Sequence, residues 1–323
     1  NRGKPVRLLE LLPPDITDSE LLYCKLHVYH SLEKTPEYEA ISYAWGTVNT
    51  QDFPVFVVKD TTEQGNVVTR QAIEITRQLY AALRRLRHPT QSRFVWTDQI
   101  CINQLDKGEK SKQVRQMYDI YNQSKRTVIW LGEEDSDKSV LAEVFGWLRT
   151  TPNKSFQDDC SLFAEHMDFE GPDDYTGAHG ITTKKLRRQA VTRLLNRTWF
   201  SRAWVFQEAV VSPDVEAKWG SLDFPLKDLF RLTRAVYALE NAVGGYSRSI
   251  AKRTVGFDTL YLVEHYRPRG CDDPNCPRNK VPENFLGLLM QALQQLNATK
   301  EVDLIYAFVG FERPQACPKI EID

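Results

Sequence analysis

No apolar run in this sequence approaches the roughly 20 residues that a membrane-crossing helix requires. Excess charge of either sign is missing too. The 42 Lys and Arg nearly balance the 43 Asp and Glu, for a net charge of -1, so there is no electrostatic reason to expect nucleic acid or an anionic membrane as partner. Six cysteines in 323 residues are too few and too scattered for a disulfide framework. Cys24, Cys101, Cys160, Cys271, Cys276 and Cys317 read as reduced thiols of a cytoplasmic protein. There is no secretory signal, internal repeat or low-complexity tract. The chain opens on Asn1, not methionine, and closes on Asp323 without the look of a natural stop, so a trimmed fragment is expected.

What is present is a globular composition, 41% apolar and 26% charged, with enough length for one large domain or two ordinary ones. Val6 to Leu12 and Leu21 to Val28 read as strands. Tyr38 to Gly46 is a short β-former-rich run stopped by a glycine, as suits a buried strand with a sharp end. Pro54 to Val58 and Val67 to Thr69 suggest a hairpin. Ile75, Leu79, Ala82, Leu83 and Leu86 keep helical spacing, with arginines near the helix C-terminus. Phe94 to Thr97 is a strand running into Asp98-Gln99. Asp106 and Glu109 have capping-box spacing ahead of a helix carrying Val114, Met117, Ile120 and Tyr121. Thr127 to Leu131 is a strand ended by Gly132-Glu133, and Val140 to Leu148 a helix.

Alternating strands and helices predict a parallel sheet with helices on its faces. In such sheets the ligand crevice lies beyond the carboxyl ends of the strands. Trp45-Gly46, Asp98-Gln99 and Gly132-Glu133 are therefore candidates to meet at one cleft. Trp45 and Gly46 suit either a core plug and turn or a cleft lining. Asp98 suits a turn cap or a cleft-orienting role, and Asn103 and Gln104 suit loop-fixing amides.

The stretch 150–182 reads as a long loop, a candidate lid. Lys184 to Arg188 reads as a solvated basic helix face. In Arg197 to Val211, helical spacing puts Ser201, Trp204 and Glu208 on one face, a hydroxyl, an indole and a carboxylate together. Beyond Pro213 the pattern turns mostly helical, over Leu226 to Leu239, Phe257 to His265 and Phe285 to Leu296. Cys101 lacks a recognisable histidine partner, so it reads as a buried structural thiol and not as a nucleophile. Cys271 and Cys276, with His265 upstream, lack the second ligand pair of a usual zinc site; the expectation is a proline-rich loop and no metal.

Several blocks in order resemble the fungal heterokaryon-incompatibility (HET) domain family. They are Tyr38-Glu39-Ala40-Ile41-Ser42-Tyr43-Ala44-Trp45-Gly46; Val95 through Gln104; Gln113 to Met117 with Ile120-Tyr121; Val128 to Gly132; Trp199 through Glu208; and Asp303 to Gly310. The resemblance implies an effector module of larger proteins that triggers cell death when incompatible fungal cells fuse. It also implies a distant similarity to TIR domains, some of which hydrolyse NAD with a glutamate in a run like S-x-W-C-x-x-E. Here Ser201, Trp204 and Glu208 keep that order, and the catalytic role carries onto Glu208.

The expected architecture is thus α/β: a flavodoxin/TIR-like parallel sheet flanked by helices, with a mostly helical C-terminal extension. Residues 1–37 are expected as a β segment packed on the core, 38–215 as the core including the loop 150–182, and 216–323 as a helical part of the same domain. Under the enzymatic expectation NAD(P) is substrate and no cofactor is needed. Glu208 would be catalytic, with Ser42, Tyr43, Trp45, Gly46, Asp98, Arg202 and Trp204 binding substrate. Trp204, Trp45 or Tyr43 would stack on a base, and Arg202 or Arg197 would meet a pyrophosphate, although Arg202 beside Glu208 also suits a plain surface ion pair. The alternative expectation is a non-enzymatic death-signalling module acting by homotypic assembly, or through other domains of a larger protein. A cysteine hydrolase using Cys101 is a third and weaker expectation.

Overall fold

The computed structural model describes residues 5–14, 20–46, 53–61, 67–150, 167, 183–242, 255–267, 296, 307 and 308. In chain order the elements begin with β1 (Val6–Leu11), β2 (Leu22–Tyr29), β3 (Glu39–Tyr43), β4 (Phe53–Thr61), β5 (Val67–Ile75), α1 (Arg77–Leu86) and β6 (Arg93–Trp96). They continue with α2 (Asp98–Cys101), α3 (Lys107–Val114), α4 (Met117–Gln123), β7 (Arg126–Trp130), α5 (Lys138–Thr150) and α6 (Thr183–Leu195). Then follow a 3-10 turn (Thr198–Ser201), α7 (Trp204–Val210), β8 (Val215–Trp219), β9 (Leu222–Pro225), α8 (Leu226–Ala242) and α9 (Val255–Tyr266). The chain divides into two compact units, one of residues 1–133, 207–221 and 312–323, the other of residues 134–206 and 222–311.

The first unit is built on a sheet in the order β5-β4-β2-β1-β6-β3-β7-β8. Strands β6, β3, β7 and β8 run parallel to one another, as expected of an α/β fold. The sheet as a whole is mixed, because β1 is antiparallel to both β2 and β6. All five residues of β3 are buried, and so are the last four of β7, the signature of central strands covered on both faces. Side chains alternate across the sheet. Trp96, Ala40 and Thr127 are neighbours in register, and Ser42 neighbours Ile129, so these share one face. Glu39, Ile41 and Tyr43 share the other. On that second face the buried Glu39 is held by Arg93, whose Nη2 lies 2.7 Å from Oε1, with Arg126 at 3.4 Å.

The local chemistry explains the element ends. Ile75 proves to be the last residue of β5 and not part of the helix, because the Thr76 side chain caps α1 by accepting from Leu79 N. Asp106 caps α3 as its spacing predicts, its Oδ1 accepting from Glu109 N at 3.0 Å. The reciprocal half of the box is absent: Asp106 N donates to Asn103 O, and Glu109 instead accepts from Asn103 N at 2.9 Å and from Arg7. The expected single helix from Asp106 to Tyr121 is two helices broken at Arg115 and Gln116. Strand β8 was not among the expected elements, although its V-E-A-K-W alternates apolar and polar residues as a half-buried strand does; it pairs in parallel with β7.

The second unit is mainly helical. Leu141, Val144, Phe145 and Leu148 are the buried face of α5. Arg193 grips Asp137 through two bonds of 2.6 and 2.7 Å. The basic run opening α6 is less solvated than expected. Arg188 is buried, and Arg187 pairs with Glu143 at 2.6 Å while its guanidinium lies 4.3 Å over the Trp147 ring. A Cβ on Gly256 would lie 2.3 Å from the Leu195 carbonyl oxygen, so only glycine lets α9 start this close to the end of α6. Of the stretch 150–182, all but Thr150 and the buried Met167 lies outside the described residues, as do Cys160, Cys271, Cys276, Cys317 and the predicted helix Phe285 to Leu296 apart from the buried Leu296. Among the described residues no helix is long and apolar enough to cross a membrane.

Candidate active site

In the first unit the ends of β3, β6 and β7 converge on the start of α1, as their polar termini suggested. The Tyr43 hydroxyl donates to Gln99 Oε1 at 3.2 Å, and that oxygen also accepts from Thr76 N and Thr76 Oγ1 at 3.3 and 3.1 Å. The Trp45 indole donates to Asp98 Oδ2 at 2.9 Å. The Trp130 indole donates to Gln78 Oε1 at 3.1 Å, and Arg77 meets Glu133 at 2.9 Å. Gly46 turns the chain after β3 with a φ of 79°, a region that glycine occupies without strain. Asn103 and Gln104 fix the loop after β6, Gln104 Nε2 donating to Asp98 O at 2.7 Å and Asn103 Oδ1 accepting from Leu105 N at 3.2 Å.

Glu208 occupies a different place. It is 2% exposed, and its Oε2 accepts a hydrogen bond from the Ser42 hydroxyl. A buried carboxylate is costly unless it is hydrogen-bonded, and a hydroxyl donating to an ionised oxygen is among the stronger such bonds. Period-two alternation sends Ser42 to the opposite face of the sheet from Tyr43. The predicted site residues therefore fall into two clusters: Ser42 with Glu208 inside the unit, and half-buried Trp45 with Asp98 at the strand ends, joined to Tyr43 through the neighbouring Gln99.

The helical face expected for Ser201, Trp204 and Glu208 does not exist as one helix. Ser201 ends a 3-10 turn, Arg202 is extended (φ -83°, ψ 136°), and α7 starts only at Trp204. The Ser201 hydroxyl is spent locally on Thr198 O at 2.9 Å. Trp204 and Glu208 do lie one turn apart on α7. Arg202, Trp204 and Arg197 belong to the second unit, and Arg197 pairs there with Asp135, so the site described rests on the first unit alone. Thr76 and Gln78 were missed as parts of it. Gln99 is where the polar end of its strand placed it, beside Asp98 and bonded to Tyr43 and Thr76.

Cys101 is not an activated nucleophile. It is fully buried, and that burial pushes its thiol up to about 12, leaving almost no thiolate at neutral pH. Among the described residues no cluster of three or more His, Cys, Asp or Glu is arranged to hold a metal ion.

Parallel strands flanked by helices, with a buried acid bonded to a strand serine and polar strand ends gathered beside a helix start, define an α/β protein. The heterokaryon incompatibility family model matches residues 38–208, and the chain belongs to that family. Over 224 residues it is 32% identical to heterokaryon incompatibility protein 6, OR allele, of Neurospora crassa, a match covering 65% of this chain and 32% of that protein. The chain thus spans about a third of the length of the curated relative it matches. No solved structure matches it.

Proposed function

We propose that this chain is the cytoplasmic effector domain of a fungal cell-death response in allorecognition, and that it hydrolyses the bond between nicotinamide and ribose in NAD(P). The observation that carries the enzymatic part is the Glu208 carboxylate, buried and hydrogen-bonded by Ser42 next to the end of a central parallel strand. Most glycosidases need two carboxyl groups. Nicotinamide is already cationic in NAD and leaves without a proton from a general acid, so one carboxylate suffices.

In this proposal the C–N bond breaks with its electron pair going to the nicotinamide nitrogen. Glu208 stabilises the positive charge that grows on the ribose, a preorganised electrostatic effect worth about 3 kcal/mol by analogy with single oxyanion-hole donors. Water adds to the anomeric carbon and gives its proton to the carboxylate. The half-buried Trp45 ring, with its indole N–H fixed by Asp98, is the surface for a base to stack on. Tyr43 and Gly46 shape the strand end beside it. Because Glu208 is closed from solvent, uncovering it is a step of the proposed cycle.

Self-association, or docking to other domains of a larger protein, belongs to the same proposal. The observation favouring a purely interacting module instead is Leu105, 95% exposed in the loop between α2 and α3. Incubating the purified chain with NAD at high protein concentration and measuring free nicotinamide separates the two. Release by the wild type that Glu208→Gln abolishes supports the hydrolase. A folded, self-associated wild type that releases none overturns it and leaves the interaction module.

A further inference from the structure

We infer that Ser42 is a positioning residue that orients the Glu208 carboxylate and does not contact substrate, a role that rests on the reading of Glu208 above. Ser42 is 1% exposed in a strand whose five residues are all buried. Serine is a poor occupant of such a place, since a buried hydroxyl costs free energy unless it is bonded. Here the hydroxyl donates to Glu208 Oε2. Its neighbours in register on that face are Ile129 and, one strand further, Ala217. Neither can donate a hydrogen bond from its side chain. At Ser42 the strand backbone is paired with β7, and two residues earlier, at Ala40, with β6 as well, so a hydroxyl rooted in it is a rigid tether. A dipole already aimed at a charged group needs no reorganisation during reaction. Tyr43, the next residue, points to the other face and donates to Gln99, so adjacent residues of one strand serve different clusters.

Nicotinamide release by Ser42→Ala and Ser42→Thr tests this. Ser42→Ala is expected to lower kcat about 10- to 100-fold, the span that one hydrogen bond to a charged group supports, with KM nearly unchanged. Ser42→Thr, which keeps a hydroxyl at that position, should restore most of the rate. A raised KM at unchanged kcat would mean substrate contact and overturn the assignment. A second measurement does not depend on catalysis: urea unfolding of Ser42→Ala, Glu208→Leu and the double variant. Strong non-additivity is expected, because both single changes remove the same hydrogen bond, so the double change has nothing further of it to lose. Additive losses overturn the proposal even if NAD is consumed. Coupling without any nicotinamide release sinks the NAD reading while keeping Ser42 as the group that orients Glu208.

Discussion

The Trp45 indole N–H and the Asp98 carboxylate meet at 2.9 Å and tie the turn after β3 to the start of α2. The two residues are 53 positions apart in sequence, and each follows a parallel strand. Their bond holds a flat aromatic surface in one orientation at the strand ends. Trp45→Phe and Asp98→Ala are each expected to cost about 1 kcal/mol. The double variant should cost little more than the worse single one. Chemical denaturation of the four proteins measures this, and simple additivity would show that the bond contributes nothing.

Two glycine substitutions separate backbone strain from steric clash. Gly46 has a φ of 79°, and a Cβ there would meet only Gln78 Cγ at 3.9 Å. Gly46→Ala should therefore lose about 1–2 kcal/mol from the left-handed backbone alone. Gly256→Ala forces a Cβ to 2.3 Å from a backbone oxygen, so the start of α9 must move, at a cost of about 3 kcal/mol. Thermal unfolding should rank Gly256→Ala below Gly46→Ala; the reverse order would contradict the close approach to Leu195.

Burial pushes the thiols of both Cys24 and Cys101 up to about 12. In native protein at pH 8 neither should react with iodoacetamide on the timescale that labels a free thiol, and both should react in denaturant. Peptide mapping reads the two states. Labelling of native Cys101 that also stops activity would revive a thiol mechanism.

Glu10 gives a pH-dependent term. Burial raises its pKa, but hydrogen bonds to His27 and Ser92 and the charges of His27 and Lys25 outweigh burial and leave it below the ordinary carboxylate value. A depressed acid stabilises the fold above its unfolded pKa and loses that contribution as pH falls through its folded one. Glu10→Gln should thus cost under about 1 kcal/mol at pH 7, since the pair with His27 is partly exposed. The difference from wild type should shrink below about pH 4.5. Stability curves across pH test it, and a difference that grows in acid would refute the assignment.

Much of the architecture is legible in the sequence. The strands β3, β6 and β7 announced themselves as short β-former runs with glycine or polar stops, and Asp106 named its own helix start. These are local signals: side-chain period, capping chemistry and turn preference act over a few residues. Where the pattern misled, local preference met a stronger neighbour. Ile75 has helical spacing but lies in β5, where pairing with Phe53 and the Thr76 cap decide the boundary. Strand β8 was legible in the alternation of Val215, Ala217 and Trp219 with Glu216 and Lys218, but it is too short for that signal to stand out without its parallel partner β7.

The sequence alone determined the family blocks, the α/β alternation and the identity of the acid as a candidate, because those reside in residue type and spacing. Only the tertiary structure decided what that acid touches. The extended backbone at Arg202 removed Ser201 from its helix, and the sheet's alternation brought Ser42, 166 residues away in the chain, to its oxygen. A hydrogen bond between distant segments depends on how helices and strands pack, and nothing in the local pattern encodes that distance.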